Sequence, residues 1–346
     1  MSPGKACVAG LRGIVTRHAR ADPTPRMKPT SAPAVIALEE HYFDAEVAAL
    51  FRNRDVAPEI RRRLDDLGEL RLREMDEAGI SMQVLSHGAP GLQRMDAQTA
   101  VPLARRANDR LKQTIDAHPD RFAGFAVLPT ADPAAAADEL ERCVTKLGFK
   151  GAMVHGLTNG VFFDDRRFWP VCERAQALDV PLYLHPAMPH PAVIEAYYKD
   201  YAKDFPTLLT AGWGFTVETA TQGIRMVLSG VFEAYPRLKI ILGHLGESLP
   251  FSLWRIDDSL AREGNKRIAF RELFREHFYV TTSGNFSTPA LLCTMMEMGV
   301  DRILFSVDWP FAENSPGTRW ANDLPLSTAD REKILGGNAR RLLRIV

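Results

Sequence analysis

The sequence predicts a (β/α)8 barrel, and three observations carry that prediction. From Val35 onward, short apolar runs rich in β-branched residues alternate with longer stretches of helical period, the pattern of βα units around a parallel sheet. Eight such runs occur, each followed by a helical stretch, which points to a closed barrel rather than an open sheet. The 346 residues also suffice for one barrel of about 250 residues with insertions.

The predicted strands are residues 35–41, 82–87, 122–128, 151–155, 182–185, 239–244, 278–283 and 303–308. Helices are predicted over 68–78, 96–117, 133–147, 166–178, 219–234, 249–262 and 287–298. A last helix, 328–343, opens on the cap-like pair Ser327-Thr328 with Asp330 behind it. Residues 35–346 therefore read as one barrel domain. The stretches 43–67 and 187–213 are too long for simple loops, and both leave the C-terminal end of a strand, where barrel enzymes place catalytic loops. The second carries Tyr197, Tyr198, Tyr201 and Phe205 and reads as a lid or a subunit contact. Residues 1–34, rich in Arg, Pro and small residues, read as a disordered extension, with Met27 as an alternative start.

Composition excludes several functional classes. Hydrophobic residues make up 46% and charged residues 25%, as in an ordinary globular protein, and the 43 basic residues balance the 43 acidic ones. No net field recruits nucleic acid or an anionic membrane, and no apolar run reaches the roughly 20 residues needed to span a bilayer. Cys7, Cys143, Cys172 and Cys293 form no CxxC pair, which fits a reducing cytoplasm; Cys143 and Cys172 read as core positions on helices.

The chemistry gathers at the strand ends. They carry Glu39-Glu40-His41, His87, His155, His185-Pro186, Gly243-His244 and Asp308-Trp309-Pro310, so five of the nine histidines terminate predicted strands. Scattered core histidines would not favour one end of a barrel. Glu39 and His41 are two apart and project to the same side of a strand, whereas Glu40 points the other way, toward the helix layer. An isolated Glu-x-His is weak evidence. Joined to His185 and Asp308, it becomes a candidate site for one divalent ion, its mixed carboxylate and imidazole donors suiting Zn2+, Mn2+ or Fe2+ better than Mg2+ or Ca2+.

Several spaced blocks then resemble the amidohydrolase superfamily: Ala37-Leu38-Glu39-Glu40-His41, Leu184-His185-Pro186, Ile241 to Glu247 and Ile303 to Phe311. The likeness runs from about Val35 to the C-terminus and includes Arg106-Ala107-Asn108-Asp109, Pro119-Asp120-Arg121-Phe122 and Thr281 to Phe286. It is nearest to the branch of aminocarboxymuconate-semialdehyde and hydroxybenzoate (γ-resorcylate) decarboxylases. The resemblance implies a barrel of the metal-dependent hydrolase type with a single Zn2+ or Mn2+ held by Glu39, His41, His185 and Asp308. Strand four ends in His155 rather than the lysine of binuclear relatives, so a bridged pair of ions is not expected.

The same resemblance assigns further roles. Asp308 would deliver a proton to the ring carbon that bears the carboxylate, a role that needs a carboxyl protonated near neutrality. His244 and Glu247 resemble a His/Glu pair beside the substrate, and Arg255 an arginine that completes a neighbouring active site in a homodimer or homotetramer. His155 stands where the resorcylate enzymes usually carry asparagine, and it reads equally as a substrate contact or a structural residue. His87 reads as structural, and His190 and His277 as surface residues. Trp213, Phe215, Phe286, Trp309 and Phe311 are candidates to line a flat apolar slot.

The expected activity is non-oxidative, reversible decarboxylation of a small ortho-hydroxy aromatic acid. The alternative is a mononuclear hydrolase of an ester, lactone or amide, with Asp308 or His244 as base. A barrel without catalysis, serving assembly or binding, is disfavoured by the presence of every candidate ligand.

Overall fold

The computed structural model describes residues 35–51 and 56–345. The expected extension over 1–34 lies outside the described residues. Among those described, nine strand segments occur: β1 (Ile36–Tyr42), β2 (Met82–His87), β3 (Phe122–Gly124), β4 (Ala126–Val127), β5 (Ala152–His155), β6 (Leu182–His185), β7 (Ile240–Leu242), β8 (Phe278–Thr281) and β9 (Ile303–Leu304). Every ladder between neighbours is parallel.

β3 and β4 are the single strand expected over 122–128, interrupted at Phe125. The Phe125 N–H donates to Leu85 on β2 at 2.9 Å, and the Ala126 N–H donates to Gly151 beside β5 at 2.9 Å, so the two pieces join the two sheets. On the far side the cylinder closes between β1 and the segment after β9. The His41 N–H donates to the Trp309 carbonyl at 2.7 Å, and the Glu39 N–H to the Ser306 hydroxyl at 2.7 Å. The molecule is thus a (β/α)8 barrel, with β9 shorter than the sequence pattern suggested and its seam with β1 held partly by side chains.

Strand side chains are buried on both faces, as a barrel wrapped in helices requires. Ile36, Leu38, Val84, Phe125, Met153, Tyr183, Ile241 and Leu304 fill the interior, closed below by Leu342 and Leu343 of the helix Asn338–Leu343. Ala37, Leu85, Ala126, Val154 and Leu184 face outward into the layer of helices.

Both long stretches carry short helices among their described residues. Residues 43–67 hold helices Ala45–Ala49 and Pro58–Asp65, and 187–213 hold Pro191–Val193, a wide turn over Ile194–Tyr198 and Pro206–Leu209. The helix expected over 219–234 starts earlier, at Gly214, and divides at Gly230, whose φ of 87° a residue with a side chain adopts only under strain. Phe270–His277 is a further helix, burying Phe270, Phe274 and His277 on one face, so His277 is not a surface residue. It stacks on Phe232 at 4.1 Å and bonds the Leu238 carbonyl at 2.8 Å. His190 is exposed, and Cys143 and Cys172 are buried on their helices. Among the described residues, no helix is long and apolar enough to cross a membrane.

Candidate active site

A bulge in β1 builds the first half of the site. Along β1, Ile36 and Leu38 face the interior, and strict alternation would send Glu40 inward next. The register against β2 slips between Ala37 and Glu40, so Leu38 and Glu39 together oppose Val84. That extra residue reverses the phase: Glu39 and His41 turn into the mouth, and Glu40 turns out. His185 ends β6, and Asp308 follows β9 with a φ of 72°. Ligand atoms of Glu39, His41, His185 and Asp308 then lie within 4.8 Å of one another.

The donors are oriented from behind. The Ser86 hydroxyl meets His41 Nδ1 at 3.2 Å, leaving Nε2 to face Asp308 Oδ1 at 3.2 Å. His185 Nδ1 lies 2.6 Å from its neighbour's carbonyl on Pro186, which makes it the protonated nitrogen and turns the Nε2 lone pair toward Glu39 Oε1 at 3.1 Å. Glu39 Oε2 accepts hydrogen bonds from the hydroxyls of Tyr183, Thr281 and Ser283. Glu39 Oε1 and His41 Nε2 are fully buried and have no hydrogen-bond partner among the described residues. Buried polar atoms left unpaired on converging side chains fit a single bound cation, and the two-oxygen, two-nitrogen set suits Mn2+ or Zn2+.

Beside this cluster the chain turns sharply after β7. His244, Leu245, Glu247 and Ser248 all adopt positive φ, between 51° and 63°, conformations that side chains rarely occupy. The turn sets His244 Nδ1 2.6 Å from Glu247 Oε1 and aims Nε2 at Asp308 Oδ2, 3.7 Å away, and at Glu39 Oε1, 3.9 Å away. Burial works against a charged imidazole, but Glu247 and Glu39 outweigh it and raise the His244 pKa well above its usual value. Burial likewise favours protonated carboxyls at Glu39 and Asp308. There the neighbouring histidines prevail, and both are held below the ordinary carboxylate range. The chain's own charges thus favour a proton on His244 over one on Asp308, so an acid role for Asp308 needs His244 as the proton source.

A cavity of about 370 Å3 opens over the cluster, with His185, His244 and Asp308 at its floor. Phe215 and Phe311 form its aromatic walls, and both long stretches contribute, through Val56, Ala57, Ile60, Thr210 and Ala211. Three other expected aromatics lie elsewhere. Trp309 is buried against the Arg71 guanidinium, 4.0 Å from its ring, and donates to Glu74. Phe286 packs on Trp320. Trp213 lines a separate groove with Arg255 between the helices Gly214–Leu228 and Leu249–Leu260, outside this mouth. His155 is buried beside the site, its Nδ1 3.0 Å from His185 Nδ1; burial and the nearby His185 keep it neutral. His87 bonds the Gly88 carbonyl and stacks on Phe43. Tyr183, Thr281, Ser283 and Ser86 were not expected as site residues. Alternation pointed to Tyr183, two before His185 on the same strand face.

An amidohydrolase family model matches residues 20–345. The γ-resorcylate decarboxylase of a Polaromonas species is 45% identical over 326 residues, covering 90% of this chain and 98% of that one. A crystal structure of dihydroxybenzoic acid decarboxylase from Polaromonas, with bound manganese and the inhibitor 2-nitroresorcinol, superposes with a TM-score of 0.83 at 44% identity, covering 90% and 97% of the two chains. A 2,6-dihydroxybenzoate decarboxylase solved with 2,6-dihydroxybenzoate gives 0.83 at 41% identity, covering 91% and 100%. The chain belongs to the amidohydrolase family, in the group that includes the γ-resorcylate decarboxylases.

Proposed function

We propose that this chain is a metal-dependent, non-oxidative decarboxylase of an ortho-hydroxy aromatic acid of the 2,6-dihydroxybenzoate kind. The observation that carries the reading is the Glu39, His41, His185 and Asp308 cluster with the His244–Glu247 pair beside it, at the floor of an apolar-walled cavity. Glu39, His41, His185 and Asp308 would hold one Mn2+ or Zn2+. When bound, such an ion supplies the positive charge that holds a carboxylate and an adjacent phenolic oxygen.

The protein's own groups account for the rest. Phe215 and Phe311 offer flat apolar surface to a ring, and His155 stands beside His185 as a neutral polar contact. Glu247 keeps His244 charged and oriented. The proton passes from His244 Nε2 to Asp308, and from Asp308 to the ring carbon bearing the carboxylate. The C–C bond then breaks, its electron pair restores the aromatic ring, and CO2 leaves. Asp308 is again the anion, and His244 regains its proton from solvent. Reversal of the same steps carboxylates the ring under high bicarbonate.

Assembly as a homodimer or homotetramer is supported by the exposed Tyr197, Tyr201 and Phe205, and by Phe251 and Trp254 near Arg255. The free Cys143, Cys172 and Cys293 support a cytoplasmic setting. Offering Mn2+-loaded protein a panel of hydroxybenzoates tests the function: CO2 release is expected from acids with an ortho hydroxyl. Silence across that panel, with hydrolysis of an ester or lactone panel, would replace this reading with a hydrolase.

A further inference from the structure

Glu39 is unusual in how completely one of its oxygens is occupied. Tyr183 comes from β6, and Thr281 and Ser283 from the end of β8 on the other side of β7; all are fully buried, and all three hydroxyls reach Glu39 Oε2. They also lie within hydrogen-bond distance of one another, Tyr183 and Thr281 at 2.8 Å and Thr281 and Ser283 at 2.7 Å. None of them points at Oε1, which faces the imidazoles of His185 and His41. A carboxylate with one oxygen saturated by hydroxyl donors and the other left bare can offer only the bare oxygen to a cation, and cannot pivot into a two-oxygen grip.

Gly243 belongs to the same arrangement. Its backbone is extended, with φ −72° and ψ −178°, so the main chain makes no demand for glycine here. A Cβ built at this position would lie 2.9 Å from Glu39 Oε2 and 3.3 Å from both Glu39 Oε1 and the Tyr183 hydroxyl. The residue is bare because the carboxylate and its donors occupy the space.

We infer that Tyr183, Thr281, Ser283 and Gly243 form a positioning cage that presents Glu39 to the ion through Oε1 alone. The inference rests on the reading of Glu39, His41, His185 and Asp308 as an ion site. None of the four cage residues touches the substrate cavity. Their effect therefore falls on metal affinity, and excess ion restores turnover.

The test is Mn2+ binding to the purified full-length chain, by equilibrium dialysis with metal analysis, alongside the thermal midpoint of each metal-free protein. Tyr183→Phe keeps the ring that packs near Phe125, 6.1 Å away, and removes only the hydroxyl. It is expected to weaken Mn2+ binding by about 10–100-fold, the usual effect of losing a group that orients a ligand. Its metal-free midpoint should stay near wild type, and kcat should recover at saturating Mn2+. Gly243→Ala, which displaces the carboxylate from the other side, should weaken binding in the same range. Thr281→Ser, which keeps its hydroxyl, should bind as wild type does. If Tyr183→Phe and Gly243→Ala both bind Mn2+ as tightly as wild type, the cage is refuted while the ion site stands. A wild-type chain that takes up no Mn2+ refutes both. Should Tyr183→Phe fail to fold, Ser283→Ala carries the test, with a loss of affinity expected.

Discussion

Glu39 and Glu40 are adjacent, equally buried and chemically identical, yet the barrel uses them differently. Glu39 keeps one oxygen unpaired in the mouth, and its histidine neighbours hold it ionised despite burial. Glu40 lies on the other face of β1, where its carboxylate accepts the Val307 N–H at 2.9 Å, the Trp309 N–H at 3.1 Å and the Ser306 hydroxyl at 3.2 Å. Burial pushes its pKa up to about 8, against these donors and the nearby Arg71. A buried carboxylate whose oxygens are all occupied is a brace, here for the seam that closes the cylinder. One left partly bare among imidazoles is a ligand. The bulge that separates the two is a single residue long.

The contrast breaks most visibly at Glu39 itself. Glu39→Gln should abolish stoichiometric Mn2+ binding and lower kcat by about four orders of magnitude, the loss of several kcal/mol of ion-derived stabilisation. The metal-free midpoint should fall modestly, because the histidines that hold Glu39 ionised against burial lose their anionic partner. Normal metal content in the Glu39→Gln protein would end the distinction between the two glutamates. Next in size, His244→Asn should reduce kcat by about 10²–10³-fold at unchanged metal content, the range for loss of a general acid–base group. Equal loss of metal would instead make His244 a ligand.

At the seam the effect moves from activity to stability. Glu40→Ala leaves two buried main-chain N–H groups unpaired and should destabilise the fold by about 2–4 kcal/mol, read by denaturant unfolding, while the folded fraction still binds one ion. Asp44, just past β1, is a fully occupied carboxylate at the rim, held by Arg110 at 2.7 and 2.8 Å and capping the helix Ala45–Ala49. Burial favours its protonated form, but the Arg110 hydrogen bonds outweigh it and lower its pKa. The folded state therefore binds fewer protons, so this stabilisation is complete above about pH 4 and fades as pH falls further. Asp44→Asn should lose about 1 kcal/mol at neutral pH and show a shallower acid limb than wild type. Identical acid limbs would remove Asp44 from the acid response.

Most of the barrel was legible in the sequence because strands buried on both faces read as continuous apolar runs. The strand ends were legible because histidine and carboxylate residues concentrate there. Other features were hidden for identifiable reasons. The helix Asn314–Asp323 contains Pro316 and Gly317, which mask its helical pattern. The bulge in β1 leaves no compositional mark, although Ile36 and Leu38 inward with Glu39 and His41 inward is a phase break that alternation alone cannot satisfy. Which aromatics face the mouth depends on backbone turns. Trp309 follows Asp308 in sequence, but its main chain bonds Glu40 and its ring lies under Arg71, which turns it away from the cavity that Phe311 reaches. Nothing in the sequence marks Tyr183, Thr281 and Ser283 as sharing one acceptor, because they meet Glu39 Oε2 only across the folded barrel.

The most direct test is CO2 release from 2,6-dihydroxybenzoate as a function of bound Mn2+, starting from chelator-stripped protein. Activity should be absent without the ion, rise in proportion to occupancy and level off at one ion per chain. Full decarboxylation by the stripped protein, or a plateau at two ions per chain, would contradict a mononuclear metal-dependent site built on Glu39, His41, His185 and Asp308.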